Sequence, residues 1–188
     1  MSFCINPSCP HPGDPGPLRF CWHCGSPLEL EGRYRVLRLL GEGNFGKTFE
    51  VSDQGGTRKV LKVLTISDPN CLNNAQCIQQ AISLFQREVS VLLQLNHPGI
   101  PRVEPGGYFT IQPRNSQELH CLVMEKIEGM NLQQYLRLTG NRPIDNSLAI
   151  QWLTELVQLV RYLISTITAF SKPVLKRICS NQHQSKFN

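Results

Sequence analysis

Gly41-Glu-Gly-Asn-Phe-Gly-Lys-Thr48 is the stretch on which the reading of this chain turns. Ahead of it, Tyr34-Arg-Val-Leu-Arg-Leu-Leu40 alternates as a strand does, and behind it Phe49 and Val51 continue an alternating pattern. Gln54-Gly-Gly-Thr57 is a turn signal, and Lys59-Val-Leu-Lys-Val-Leu64 then reads as another strand. Strand, glycine loop, strand, turn and strand predict a small antiparallel sheet. A polar stretch over 68–76 follows. After it, Ile78, Ile82, Phe85, Val89, Leu92 and Leu93 fall near one face of a helix that Asn96-His-Pro-Gly99 ends. Residues 103–110 and 119–124 read as two further strands, which makes the expected class α+β.

The glycine loop satisfies two motifs at once. As Gly-x4-Gly-Lys-Thr it is a Walker A loop, with Lys47 reaching phosphates and Thr48 binding magnesium. As Gly-x-Gly-x-x-Gly it is the flap that covers ATP in a protein kinase. A Walker A loop must open a helix, whose N-terminus holds the phosphates. Here Phe49-Glu-Val-Ser-Asp53 and a glycine turn follow, which alternate like a strand. A Walker B strand ends in Asp, whereas the strongly apolar strand over 119–124 leads to Glu125. The flap reading further requires a lysine on the third strand and a glutamate on the next helix, and Lys62 and Glu88 stand at those places.

With these residues in hand, 33–163 resembles the start of a bacterial serine/threonine protein kinase domain. The resemblance rests on Gly41-Glu-Gly-Asn-Phe-Gly46, Val60-Leu-Lys62, Phe85-Gln-Arg-Glu88, His97-Pro-Gly-Ile-Pro101 and Leu122-Val-Met-Glu-Lys-Ile-Glu-Gly129. It implies a kinase-like N-lobe and hinge over 33–129 and the start of the larger lobe over 130–163. ATP, with Mg2+, is the cofactor so implied. Leu40, Gly41, Glu42, Gly43, Asn44, Phe45, Gly46, Thr48 and Val60 would surround the nucleotide, with Phe45 at the loop tip. Lys62 would hold the α- and β-phosphates and Glu88 would orient it. Met124 would be the gatekeeper, and Glu125 to Ile127 the hinge that bonds adenine. Thr48 and Val60 depart from the valine and alanine usual beside the adenine, which narrows or repolarises the pocket.

Beyond the hinge, 131–138 is a short helix pattern and 148–163 a longer one, with Trp152, Leu153, Leu156, Val160 and Leu163 on a common stripe. In a kinase, His-Arg-Asp and later Asp-Phe-Gly follow such a helix. Neither is present, and after Glu155 the chain has no Asp or Glu at all. No carboxylate there can accept a substrate proton or ligate Mg2+. The expectation is a truncated or frame-shifted kinase domain, inactive alone, whose tail over 164–188 is disordered or out of register. An adaptor built on the N-terminal segment and the basic tail is the alternative.

That N-terminal segment, 1–30, is broken by Pro7, Pro10, Pro12, Pro15 and Pro17 and has too few apolar residues for a core of its own. Cys4, Cys9, Cys21 and Cys24 form a Cys-x4-Cys pair and a Cys-x2-Cys pair. Cys21-Trp-His-Cys-Gly25 has the shape of a zinc knuckle, in which Gly25 frees the backbone to turn back toward the ion. The segment resembles short bacterial zinc ribbons, and a closed four-ligand site makes its zinc structural. His11 or His23 is an alternative ligand, and a redox pair an alternative use, though the strand-to-helix context of a redox pair is not visible. Cys71, Cys77, Cys121 and Cys179 are scattered and read as small apolar side chains.

Of the formal charge of +5, the whole excess comes from Arg161, Lys172, Lys176, Arg177 and Lys186, so the body of the chain is neutral. Without interleaved aromatics the basic end gives no clear nucleic-acid signal. Residues 148–170 are apolar but interrupted by Glu155 and Arg161, which argues against a membrane span. With no basic-then-apolar leader in 1–17, the cytoplasm is the default, where clustered thiols point to metal before disulfide. The protein substrate or partner is not encoded in any motif.

Overall fold

The computed structural model describes residues 2–182 except 11, 12, 15, 17, 44, 45, 67 and 68. Two compact units divide the chain, Met1–Ile127 and Glu128–Asn188. In the first, β1 (Ser2–Phe3) pairs with β2 (Gly13–Asp14). The strands β3 (Glu29–Leu30), β4 (Tyr34–Gly43), β5 (Gly46–Ser52) and β6 (Arg58–Val63) come next. After the short helix α1 (Pro69–Leu72) and the longer α2 (Ala75–Leu92), the strands β7 (Val103–Ile111) and β8 (Leu119–Glu125) complete the unit. The six larger-sheet strands run in the order β3-β4-β5-β6-β8-β7, every neighbouring pair antiparallel. The α+β class expected from the sequence is the class observed.

Alternation along the strands gives this sheet one fully buried face and one partly covered face. Phe49, Leu61 and Val123 lie in one cross-strand row, with Val36, Val51, Val63 and Cys121 on the same side. Ile5 and Leu30 are buried in this cluster, and Phe3 packs against it, its ring 5.8 Å from that of Phe49. The N-terminal segment therefore shares the core of the sheet. Its few apolar residues suffice because they complete a surface the strands already provide.

The other face carries Thr48, Lys62, Leu122 and Tyr108 in one row and Glu50, Val60, Met124 and Val103 in the next. Helix α2 covers part of it, with Phe85 and Val89 buried against Leu122. Asn74 caps α2, its side chain accepting hydrogen bonds from the backbone of Gln76 and Cys77. The polar stretch that precedes this helix contains α1, and Cys71 in α1 forms a disulfide with Cys77 in the first turn of α2. This corrects the reading of those two cysteines as unlinked apolar side chains. The chain doubles back between the helices and brings their Cα atoms to 5.2 Å, within disulfide reach. Cys121 is buried, as expected of an apolar thiol.

The second unit contains α3 (Leu132–Leu138), opened by a capping box of Asn131 and Gln134, and α4 (Asn146–Gln182). The Asp145 side chain accepts from the Ser147 and Leu148 backbone at the start of α4. Tyr135 of α3 and Trp152 of α4 meet edge to face at 5.3 Å between ring centroids. Leu153, Leu156 and Val160 on the expected stripe are exposed. The backbone stays helical past 163 to Gln182, so the change in composition near 164 is not a helix boundary; residues 183–188 of the expected tail lie outside the described residues. No helix among the described residues is long and apolar enough to cross a membrane.

Ile5→Ala tests the shared core. Its loss is expected to cost about 2–5 kcal/mol, read as a lower denaturant midpoint for the sheet. A midpoint within error of the parent would mean the N-terminal segment rests on the lobe without supporting it.

Candidate nucleotide-binding face and metal centre

The glycine stretch is a β-hairpin. Gly41, Glu42 and Gly43 end β4 and pair with Thr48, Lys47 and Gly46 of β5. Asn44 and Phe45, at its tip, lie outside the described residues. Because a strand follows the loop, there is no helix N-terminus here to hold phosphate in the Walker manner. Lys47 is paired with Glu42 across the hairpin at 3.2 Å. The Thr48 hydroxyl donates to the Gly41 carbonyl at 3.2 Å, which braces the two arms. Gly46 has φ +140°, and a Cβ there would strike the Val63 carbonyl, so the close approach of hairpin to β6 requires glycine.

Directly opposite Thr48 in the ladder is Lys62. Its Nζ donates to both carboxylate oxygens of Glu88, at 2.6 and 2.8 Å, and lies 5.8 Å from the Phe85 ring centroid. Residues 26 apart in sequence are thus brought together by one strand and one helix. Val60, one strand repeat before Lys62, faces Met124 of β8. Met124 also packs with the Phe85–Val89 cluster. At the end of β8, the Glu125 N–H donates to the Arg102 carbonyl at 2.8 Å, and the Arg102 N–H donates to the Glu125 carboxylate at 3.3 Å. Ile127 is exposed, as is Leu40 at the base of the hairpin.

Sequence reasoning missed Glu50. It is buried on the same face, with Arg38 at 2.5 Å and Lys126, just past β8, at 3.7 Å. A carboxylate alternating with Lys62-facing Thr48 was legible; its two cations, from β4 and from beyond β8, were not. Burial opposes its ionisation, but the Arg38 hydrogen bond and the charges of Arg38 and Lys126 outweigh that and hold its carboxyl below the usual range. A depressed folded pKa stabilises the fold above the ordinary carboxylate range and is lost as pH falls through the folded value.

The four cysteines of 1–30 converge. Their sulfurs all lie within 4.8 Å of one another, with Cys4 and Cys24 at 3.6 Å and Cys9 and Cys21 at 3.6 Å. A tetrahedral zinc with bonds of about 2.3 Å sets its sulfurs about 3.8 Å apart, so the donor set fits that ion. Gly25, at φ +71°, donates its N–H to the Cys21 carbonyl and closes the knuckle as expected. Burial pushes the Cys21 thiol up to about 11 and raises Cys4 further. Against its own burial, hydrogen bonds from Ser26, then Cys4 and Cys21, bring Cys24 down to about 6. Among the described residues no histidine joins the cluster; His11 lies outside them.

The knuckle is tied to the sheet by polar contacts as well. Asn6 donates to the Ser26 hydroxyl at 2.9 Å and to the Arg114 carbonyl at 3.0 Å, and the Arg114 N–H donates back to Ser26 at 3.1 Å. The four-cysteine cluster is thereby anchored to the loop joining β7 to β8.

No protein-family model matches the chain. Serine/threonine-protein kinase B of Synechocystis sp. is 37% identical over 171 residues, covering 88% of this chain and 27% of that protein. Serine/threonine-protein kinase F of the same organism is 31% identical over 156 residues, covering 79% and 30%. The crystal structure of a point mutant of the Mycobacterium tuberculosis PknI kinase domain aligns at a TM-score of 0.49 with 21% identity, covering 69% of this chain and 47% of that one. The chain spans less than a third of the length of the two curated relatives.

If Glu50 supports the fold through these cations, Glu50→Gln is expected to flatten the acid limb of a plot of stability against pH. An unchanged acid limb in the variant would assign that loss to other carboxylates. Over most of its length, this chain is similar in sequence to part of bacterial serine/threonine protein kinases.

Proposed function

We propose that this chain is the ATP-binding part of an ATP:protein phosphotransferase acting on serine or threonine. The carrying observation is the two-pronged contact of Lys62 with Glu88 beside the glycine hairpin. An ammonium fixed on a strand, aimed by a carboxylate, is a ready partner for the α- and β-phosphates. The Gly41, Gly43 and Gly46 backbone would cover the triphosphate, and Thr48, Val60 and Met124 would flank the base. The Glu125 carbonyl and the Ile127 backbone would bond adenine. When bound, Mg2+ would neutralise the phosphate oxygens. The similarity to bacterial kinases supports this reading.

As these residues stand, no Asp or Glu follows Glu155, so the chain has no candidate there for proton acceptance or for the catalytic Mg2+. These 188 residues alone would bind nucleotide without transferring its phosphate. Calorimetry with Mg-ATP is expected to give binding that Lys62→Ala weakens about 10- to 100-fold, with Lys47→Ala near the parent. Equal affinity in Lys62→Ala would overturn the assignment, and autophosphorylation by the 188-residue protein would overturn its inactivity.

Cys4, Cys9, Cys21 and Cys24 would hold one structural zinc, a thiolate set that persists in the reducing cytoplasm. Metal analysis is expected to find about one zinc per chain, lost in Cys24→Ser. A zinc content unchanged by that substitution would sink the site. A second reading, a protein-interaction module, is favoured by Trp22 and Phe20, which stand 79% and 62% exposed on the knuckle. Partner capture that survives Lys62→Ala and fails in Trp22→Ala would select it.

A further inference from the structure

We infer that Cys71 and Cys77 are a reversible thiol–disulfide modification site that sets the order of the first half of α2, with a dithiol as the reacting partner. The inference stands apart from nucleotide binding.

Three observations carry it. First, the bridge joins α1 to the first turn of α2 across five intervening residues. A helix of four residues has no stability of its own, so α1 depends on what it is attached to. Second, the buried side chains of α2 are Phe85 and Val89, both in its second half. Ala75, Gln76, Gln79 and Gln80 are exposed, and Ile78 and Ile82 only half-buried, so burial anchors the first two turns weakly. The bridge, with the Asn74 cap, does the anchoring there. Third, the residues that flank the bridge in sequence border open space. A cavity of about 900 Å³ is lined by Leu72, Ile78 and Ile82 on this side and by the 112–118 loop on the other. The residues next to both half-cystines in sequence thus form its wall.

The chemistry follows from access. Cys71 is buried, 7% exposed, while Cys77 is half-buried. A thiolate of the dithiol attacks the Cys77 sulfur, the Cys71–Cys77 bond breaks, and Cys71 leaves as a thiolate that takes up a proton. The second thiol of the dithiol then displaces Cys77. The dithiol ends as its own disulfide, and the protein has gained two electrons and two protons. Opening the bridge releases α1 and the first turns of α2, while Phe85 and Val89 hold the rest. Glu88 lies between those two anchors, so the Lys62 partner stays on the held part of the helix.

The test uses the full chain in mixtures of reduced and oxidised dithiothreitol. Alkylation and peptide mass analysis read Cys71 and Cys77, and hydrogen exchange reads the α2 amides. The pair is expected to convert reversibly. Amides over 75–82 should exchange about tenfold or more faster when it is reduced, with those over 89–92 unchanged. Cys71→Ser and Cys77→Ser should each match the reduced protein and ignore the reductant, which separates this pair from the knuckle cysteines. A pair that never forms, or never opens in the folded protein, overturns the site. Equal exchange in both states overturns its hold on α2. Neither readout involves ATP, so a failure to bind nucleotide leaves the outcome legible.

Discussion

Strand β6 has to satisfy two surroundings at once, and the sheet is organised by how it does so. Leu61 and Val63 point into the cluster that Ile5 and Leu30 complete, while Val60 and Lys62 point to the side covered by α2. A slip of one residue in register would bury the lysine among Phe49, Val51 and Val123 and expose the leucine. Burying an unpaired ammonium costs several kcal/mol, roughly. Register is thus fixed by the contrast between the two faces, and the position of Lys62 opposite Thr48 follows from it.

The N-terminal segment covers the first of those faces with very little chain. Short strands such as β1 and β3 form no stable sheet in isolation. Convergence of the four cysteine sulfurs ties Cys4 and Cys9 to Cys21 and Cys24, and Asn6 and Ser26 couple that cluster to the loop around Arg114. Phe3 and Ile5 then reach the sheet as parts of one preordered body.

Much of this was legible because it is local. Alternation around Gly41–Thr48 located β4 and β5, the Gly55-Gly56 turn located β6, and the apolar period located α2. Lys62 and Glu88 were legible as a pair only through a family pattern, since 26 residues separate them. What escaped lies in tertiary pairing. Phe3 and Ile5 give no sign in sequence that their surface is Phe49 and Val123 rather than a core of their own. Helix α1 is too short for a period, so the Cys71–Cys77 approach was hidden within a stretch that read as polar loop. The cations that hold Glu50 come from β4 and from the residue after β8, which no spacing rule brings together.

The Lys62–Glu88 pair contributes position more than stability. Glu88 retains 42% of its side-chain exposure and Lys62 22%, and a pair so solvated is worth about 0–1 kcal/mol. Phe85 and Val89 bury far more favourable area and would hold α2 against Leu122 without any charge between them. A weak contact maintained by strong neighbours can be exchanged at little cost, because its loss leaves the packing intact. The apolar anchors therefore keep Glu88 in reach of Lys62, and the ion pair itself adds little to the hold on the helix. The fold thus separates what holds the helix from what the helix presents.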